Sequence, residues 1–90
     1  MIRQIDLGAD EHIQRMQIRK LIRQQNIQYA GYMPGKIYGL LSCASGKRMK
    51  AKNRIFFLNE QEALSAGYRP CGHCMKQQYK EWIRHNQQAK

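Results

Sequence analysis

Acidic side chains are scarce in this chain. Six Asp and Glu stand against sixteen Lys and Arg, which leaves a formal charge of +10 over 90 residues. A balance this one-sided says little about fold. It argues for an anionic partner, usually nucleic acid, against the plainer alternative of a solubilising surface. Long apolar runs are also missing, so no segment is suited to spanning a bilayer. The first residues are interrupted by Arg3, Asp6 and Asp10 and do not resemble a signal peptide. Cysteine is limited to three, an odd number that does not suit a secreted disulfide framework. Together these absences point to a reducing, cytoplasmic setting, where cysteine serves as a metal ligand or a nucleophile rather than as a cross-link. There is no internal repeat and no low-complexity linker. The length allows one domain, and a core this small often needs a metal, a disulfide or a partner to hold it.

The local signals give an α+β domain, with a short sheet of about three strands packed against helices. Residues 1–9 read as a loose leader. Asp10 can cap a helix over about Glu11 to Gln25, in which Ile13, Met16, Ile18, Leu21 and Ile22 recur at mostly helical spacing. Ile27 to Ala30 suits a strand. Gly31 to Gly35 reads as a turn that exposes Tyr32, and Lys36 to Leu41 as a second strand. The stretch Lys47 to Arg54 is a basic loop with five cations in eight residues. Ile55 to Leu58 has strand character. Asn59 and Glu62 form a capping-box-like pair at the start of another helix, and Gly67 fits its left-handed end. A last helix should run from about His73 to His85, presenting Met75, Tyr79, Trp82 and Ile83 on one side. These elements divide the single domain into a leader (1–9), an N-terminal helix and turn (10–35), a metal-binding core (36–85) and a frayed tail (86–90).

The chemistry concentrates at the cysteines. Cys71-Gly72-His73-Cys74 has the two-residue gap of a zinc knuckle, which lets both sulfurs reach one ion at about 2.3 Å. Placed in the first turn of the last helix, Cys74 would have its thiolate favoured by the macrodipole. A thioredoxin-type redox pair and two unrelated core thiols are the competing readings. Cys43 supplies a third sulfur, and a tetrahedral site wants a fourth ligand. His85 lies about 16 Å along a continuous helix from Cys74. His73 sits within the knuckle and would have to fold back. His12 could reach the site if the first helix packs over it; otherwise water or another group completes the set.

At this point the sequence resembles the Ada-type metal-binding domain, the N-terminal module of bacterial methylphosphotriester-DNA repair proteins. The shared text is Ile37-Tyr38-x-x-x-Ser42-Cys43, then Asn53-Arg54-Ile55-Phe56-Phe57. It continues as Glu62-Ala63-Leu64-x-Ala66-Gly67-Tyr68-Arg69-Pro70-Cys71-x-x-Cys74. The resemblance implies a bacterial origin and a zinc ion held by four cysteines, the first of which accepts the methyl group. Cys43, Cys71 and Cys74 match the other three. The acceptor position, four residues before Cys43, is Gly39, so the resemblance implies the metal and argues against methyl transfer. A DNA-contacting arginine implied three residues after Cys43 is Gly46 here, followed by Lys47 and Arg48. Arg69 matches a family position near DNA.

The expectation is therefore a small zinc-binding module with Cys43, Cys71 and Cys74 as ligands, His12 as the candidate fourth, and no catalytic residue. Lys47, Arg48, Lys50, Lys52, Arg54 and Arg69 would meet DNA or RNA backbone, which gives affinity without sequence preference. The rival readings are a structural zinc module that binds an acidic protein and, more remotely, a residual alkyltransferase or zinc hydrolase. No membrane partner is expected.

Overall fold

A computed structural model of the chain describes residues 1–43 and 49–88, with side chains through His85. Among the described residues the fold is α+β: three α-helices and one five-stranded mixed sheet. The strands are β1 (Ile2–Arg3), β2 (Tyr29–Tyr32), β3 (Ile37–Leu40), β4 (Arg54–Phe57) and β5 (Arg69–Pro70). The helices are α1 (Glu11–Arg23), α2 (Glu60–Ser65) and α3 (Lys76–Gln88). Spatial order is β1-β4-β2-β3-β5, antiparallel except where β5 joins β3 in parallel.

The helix starts follow from their caps. The Asp10 carboxylate accepts from the Ile13 N–H at 2.9 Å, and the Asn59 side chain accepts from the Glu62 N–H at 2.8 Å. Each satisfies one of the amide donors that a helix leaves unpaired at its first turn. Glu62 accepts from the Leu58 N–H rather than from that of Asn59, so the box closes one residue further out. Gly67 takes φ +85°, the left-handed conformation expected after α2.

Alternation along the strands divides the core between two faces. Tyr38, Ile55 and Phe57 join Ala63, Tyr68 and Met75 in one cluster. Ala30 and Phe56 point the other way and meet Ile18 and Ile27. The middle of the sheet is pinched at Gly31, which pairs with both Tyr38 and Ile55. A Cβ at Gly31 would lie 2.7 Å from the Phe57 ring and 2.9 Å from Ile55 Cγ2, so only glycine lets those side chains close over it.

Several expectations need correction. The first residues are not loose. Ile2 and Arg3 pair with Phe56 and Ile55, and Gln4 is buried with its amide donating to Gln14 at 3.2 Å. That bond turns Gln14 inward on α1 and leaves Ile13, Met16 and Ile22 exposed, although spacing alone assigned them to the core. α1 also ends at Arg23, two residues short of the expected Gln25. The two-residue strands β1 and β5 extend the expected three-stranded sheet to five. Tyr32 belongs to β2 and is half-buried, because the turn falls at 33–36 instead. The last helix begins at Lys76 rather than His73 and continues to Gln88, into the stretch expected to fray.

Candidate metal centre

Three chain segments bring the cysteines together at the β3–β5 edge of the sheet. Cys43 follows β3 through a turn in which its N–H donates to the Leu40 carbonyl at 3.1 Å. Cys71 follows β5 and is fixed to β3 by its own N–H, which donates to the Tyr38 carbonyl at 2.8 Å. Cys74 lies in the turn before α3, where the Met75 N–H donates back to the Cys71 carbonyl at 3.0 Å. Parallel pairing of Arg69 and Pro70 with Ile37 and Tyr38 holds this arrangement to the sheet.

The three Sγ atoms lie within 4.8 Å of one another, with Cys43 buried and the knuckle pair half-buried. Three thiolates bound tetrahedrally at 2.3 Å to one zinc would be about 3.8 Å apart, so a small closure brings them onto a common ion. Two backbone donors already point at the sulfurs. The Leu40 N–H donates to Cys74 Sγ and the His73 N–H to Cys71 Sγ, each at 3.4 Å. Such donors stabilise thiolate charge without competing for the metal. The donor set and its spacing fit a zinc ion.

Cys74 does not sit in the first turn of α3, so the macrodipole is not what tunes it. Burial pushes its thiol up to about 12, against a smaller opposing effect from the Leu40 N–H; the neighbouring Cys43 and Cys71 push further upward. At neutral pH this group is a thiol until a cation replaces its proton. A metal must therefore displace that proton, and apparent affinity should climb with pH throughout the neutral range. Competition titration with a chromophoric zinc chelator at several pH values between 6 and 8 checks this; a flat profile would mean that no thiol is deprotonated on binding.

Gly39, in β3, forms part of the wall. A Cβ there would lie 2.8 Å from Cys74 Sγ and 3.2 Å from Cys71 Cβ. The knuckle has closed into space that any side chain at this position would contest. His12 is exposed on α1 and does not join the thiols; α1 uses its packed face against the Ile27, Ala30 and Phe56 cluster. His73 is exposed, and His85 lies by Trp82 and Glu60 in a groove between α2 and α3.

The basic residues divide into two kinds. Lys50 and Lys52 are exposed on the segment leading into β4. Arg54 is half-buried in β4 instead of lying in a free loop. Its guanidinium sits 4.9 Å from the Phe56 ring centroid, its Nε is buried without a protein partner, and burial lowers its pKa. Arg69 lies over the rings of Tyr79 and Trp82, at 5.2 and 5.9 Å from their centroids, and the two rings stack on each other. The basic loop's Lys47 and Arg48 lie outside the described residues. No helix among the described residues is long and apolar enough to cross a membrane.

Sequence reasoning found all three thiols, but it did not anticipate that Met49 would border the same space. Cys43, Cys71, Gly39 and Met49 share a cavity of about 30 Å³. The only advance signal was position, six residues after Cys43 in the sequence.

The family model of the metal-binding domain of Ada matches residues 19–77, more than half of the chain. No curated protein and no solved structure matches.

Proposed function

Since the chain belongs to the family of the metal-binding domain of Ada, we propose that it is a zinc-dependent, non-catalytic module that binds the phosphate backbone of nucleic acid. Gly39 carries the non-catalytic part of this reading. The resemblance puts the methyl-accepting thiol at that position, where this chain has no side chain and where a Cβ would crowd Cys74 Sγ at 2.8 Å. Cys43, Cys71 and Cys74 would hold the ion, which ties β3, β5 and the base of α3 together.

Charge supports the partner. The chain carries +10, and among the described residues no carboxylate joins the three thiols in a metal-holding group. Exposed Lys50 and Lys52 enter β4 beside Arg54, and Lys47 and Arg48 precede them in the sequence. Stacking on Tyr79 and Trp82 fixes the plane of Arg69, and its Nη1 donates to the Pro70 carbonyl at 3.2 Å. A guanidinium held in this way loses little freedom on meeting a phosphate oxygen. Contacts of this type neutralise phosphates and release counterions, so the reading requires strong salt dependence and little sequence preference.

Electrophoretic mobility shift across a salt series tests it. Replacing Lys50 and Lys52 together by Glu should weaken binding at least about tenfold and flatten the log K against log salt slope by about 2. Zinc-loaded protein recovered after incubation with phosphate-methylated DNA should show no added methyl mass on any cysteine. Undetectable binding to DNA and RNA even at low salt would overturn the partner, and a methylated cysteine would overturn the non-catalytic reading.

A further inference from the structure

A tetrahedral site needs four donors, and the three thiols supply three. Among the described residues no histidine or carboxylate joins them. The space beside two of the thiols, Cys43 and Cys71, is a cavity of about 30 Å³ that Gly39 and Met49 also border. A water would fit by size and could bind the ion, but beyond the ion and the thiolates the rest of the wall, Ala30, Ile37, Leu40 and the body of Tyr38, offers it no free side-chain partner. The Tyr38 hydroxyl is already committed, donating to the Glu60 carboxylate at 2.8 Å. That leaves one side chain at the cavity, besides the cysteines, whose end is a metal-binding atom with no other obligation: the thioether of half-buried Met49.

Resting on the zinc reading above, we infer that Met49 is the fourth ligand of the metal, completing a site of three thiolates and one thioether. The chemistry favours it in three ways. Thioether sulfur is soft and matches thiolate as a partner for zinc. It is neutral, so it adds no negative charge to a site where three thiolates already exceed the charge of the ion. It is also apolar, so it belongs in a cavity that water would enter at a cost. Gly39 lines the same cavity as Met49, and having no side chain it leaves that wall open.

X-ray absorption at the zinc edge, on full-length protein carrying selenomethionine, reads the ligand directly. The expected spectrum has three sulfur scatterers at about 2.3 Å and one selenium at bonding distance. The selenium should vanish in Met49→Leu while zinc remains one per chain, held on the order of tenfold more weakly. Met49→Cys supplies a second readout. Its cobalt-substituted form should gain thiolate-to-metal charge-transfer intensity, in proportion to four thiolates instead of three. Three sulfurs with one oxygen or nitrogen scatterer, and no selenium, would overturn the thioether ligand and leave the zinc reading intact. Protein that binds no zinc, or binds it through fewer than three sulfurs, would overturn the zinc reading and this inference with it.

Discussion

Cys74→Ser should abolish stoichiometric zinc binding and lower the melting temperature by about 15 °C or more in zinc-containing buffer. The size of the effect follows from what the sulfur joins. Cys74 stands at the base of α3, yet its Sγ accepts from the Leu40 N–H at the end of β3 and lies within 4.8 Å of the sulfurs that follow β3 and β5. A serine hydroxyl stays protonated at neutral pH and is a hard donor, so the site falls to two thiolates and its dissociation constant rises above the working zinc concentration. A metal present at 1,000 times its dissociation constant stabilises the native state by about 4 kcal/mol, and a domain of this size responds with several degrees per kcal/mol. Native mass spectrometry would count zinc per chain, and thermal unfolding with and without chelator would give the shift. The serine variant should melt where chelated wild type melts. A variant that kept one zinc and the wild-type melting temperature would remove Cys74 from the site.

The parts of this fold that could be read in advance are those that short-range chemistry dictates. Asp10 and Asn59 cap their helices because a side-chain oxygen one turn away is enough, and Gly67 ends α2 because its backbone must take a positive φ. The knuckle spacing brings Cys71 and Cys74 to one place, and the turn after β3 delivers Cys43 to them. What escaped prediction depends on distant partners. Ile2–Arg3 is a strand because β4 offers a free edge, and nothing within two residues announces that. β5 contains Pro70, which reads as a strand breaker. It is tolerated because the donors to β3 are the flanking amides of Arg69 and Cys71.

Helix faces were misread for the same reason. Hydrophobic spacing on α1 favours Met16 over Gln14, but Gln4 and the Gly8 carbonyl give the Gln14 amide two partners and let it be buried. The cysteine knuckle shows the limit most clearly. Its residue spacing predicts a metal, whereas the conformation of Cys74, in a turn rather than a helix, follows from the Cys71 carbonyl and the parallel strand behind it. Met49 could not be found by scanning for histidine and carboxylate. Its candidacy comes from a cavity whose walls are contributed by four separate stretches of chain.

Phe57→Ala should cost about 3–5 kcal/mol of stability and weaken zinc binding as well, whereas Phe56→Ala should cost a similar amount and leave zinc affinity near wild type. Both rings are fully buried, and they are neighbours in β4 that face opposite ways. Phe57 packs edge-on against Tyr68 with centroids 4.9 Å apart, in the cluster that includes Met75 and borders Cys74. Truncating it leaves a cavity beneath the knuckle, and Met75 and Tyr68 can then shift the two sulfurs they support. Phe56 meets Ile18, Ile27 and Ala30, so its loss loosens α1 on the far face. Urea unfolding of each variant, with zinc in excess and with chelator, separates the two effects. For Phe56→Ala the zinc-dependent increment in stability should match that of wild type, because the native site is unchanged. For Phe57→Ala the increment itself should shrink, because zinc stabilises only in proportion to its affinity for the folded state. Equal increments in both variants would show that the metal site draws no support from the Tyr38–Phe57–Met75 face, and that the three thiols are positioned by their own turns and by β5 alone.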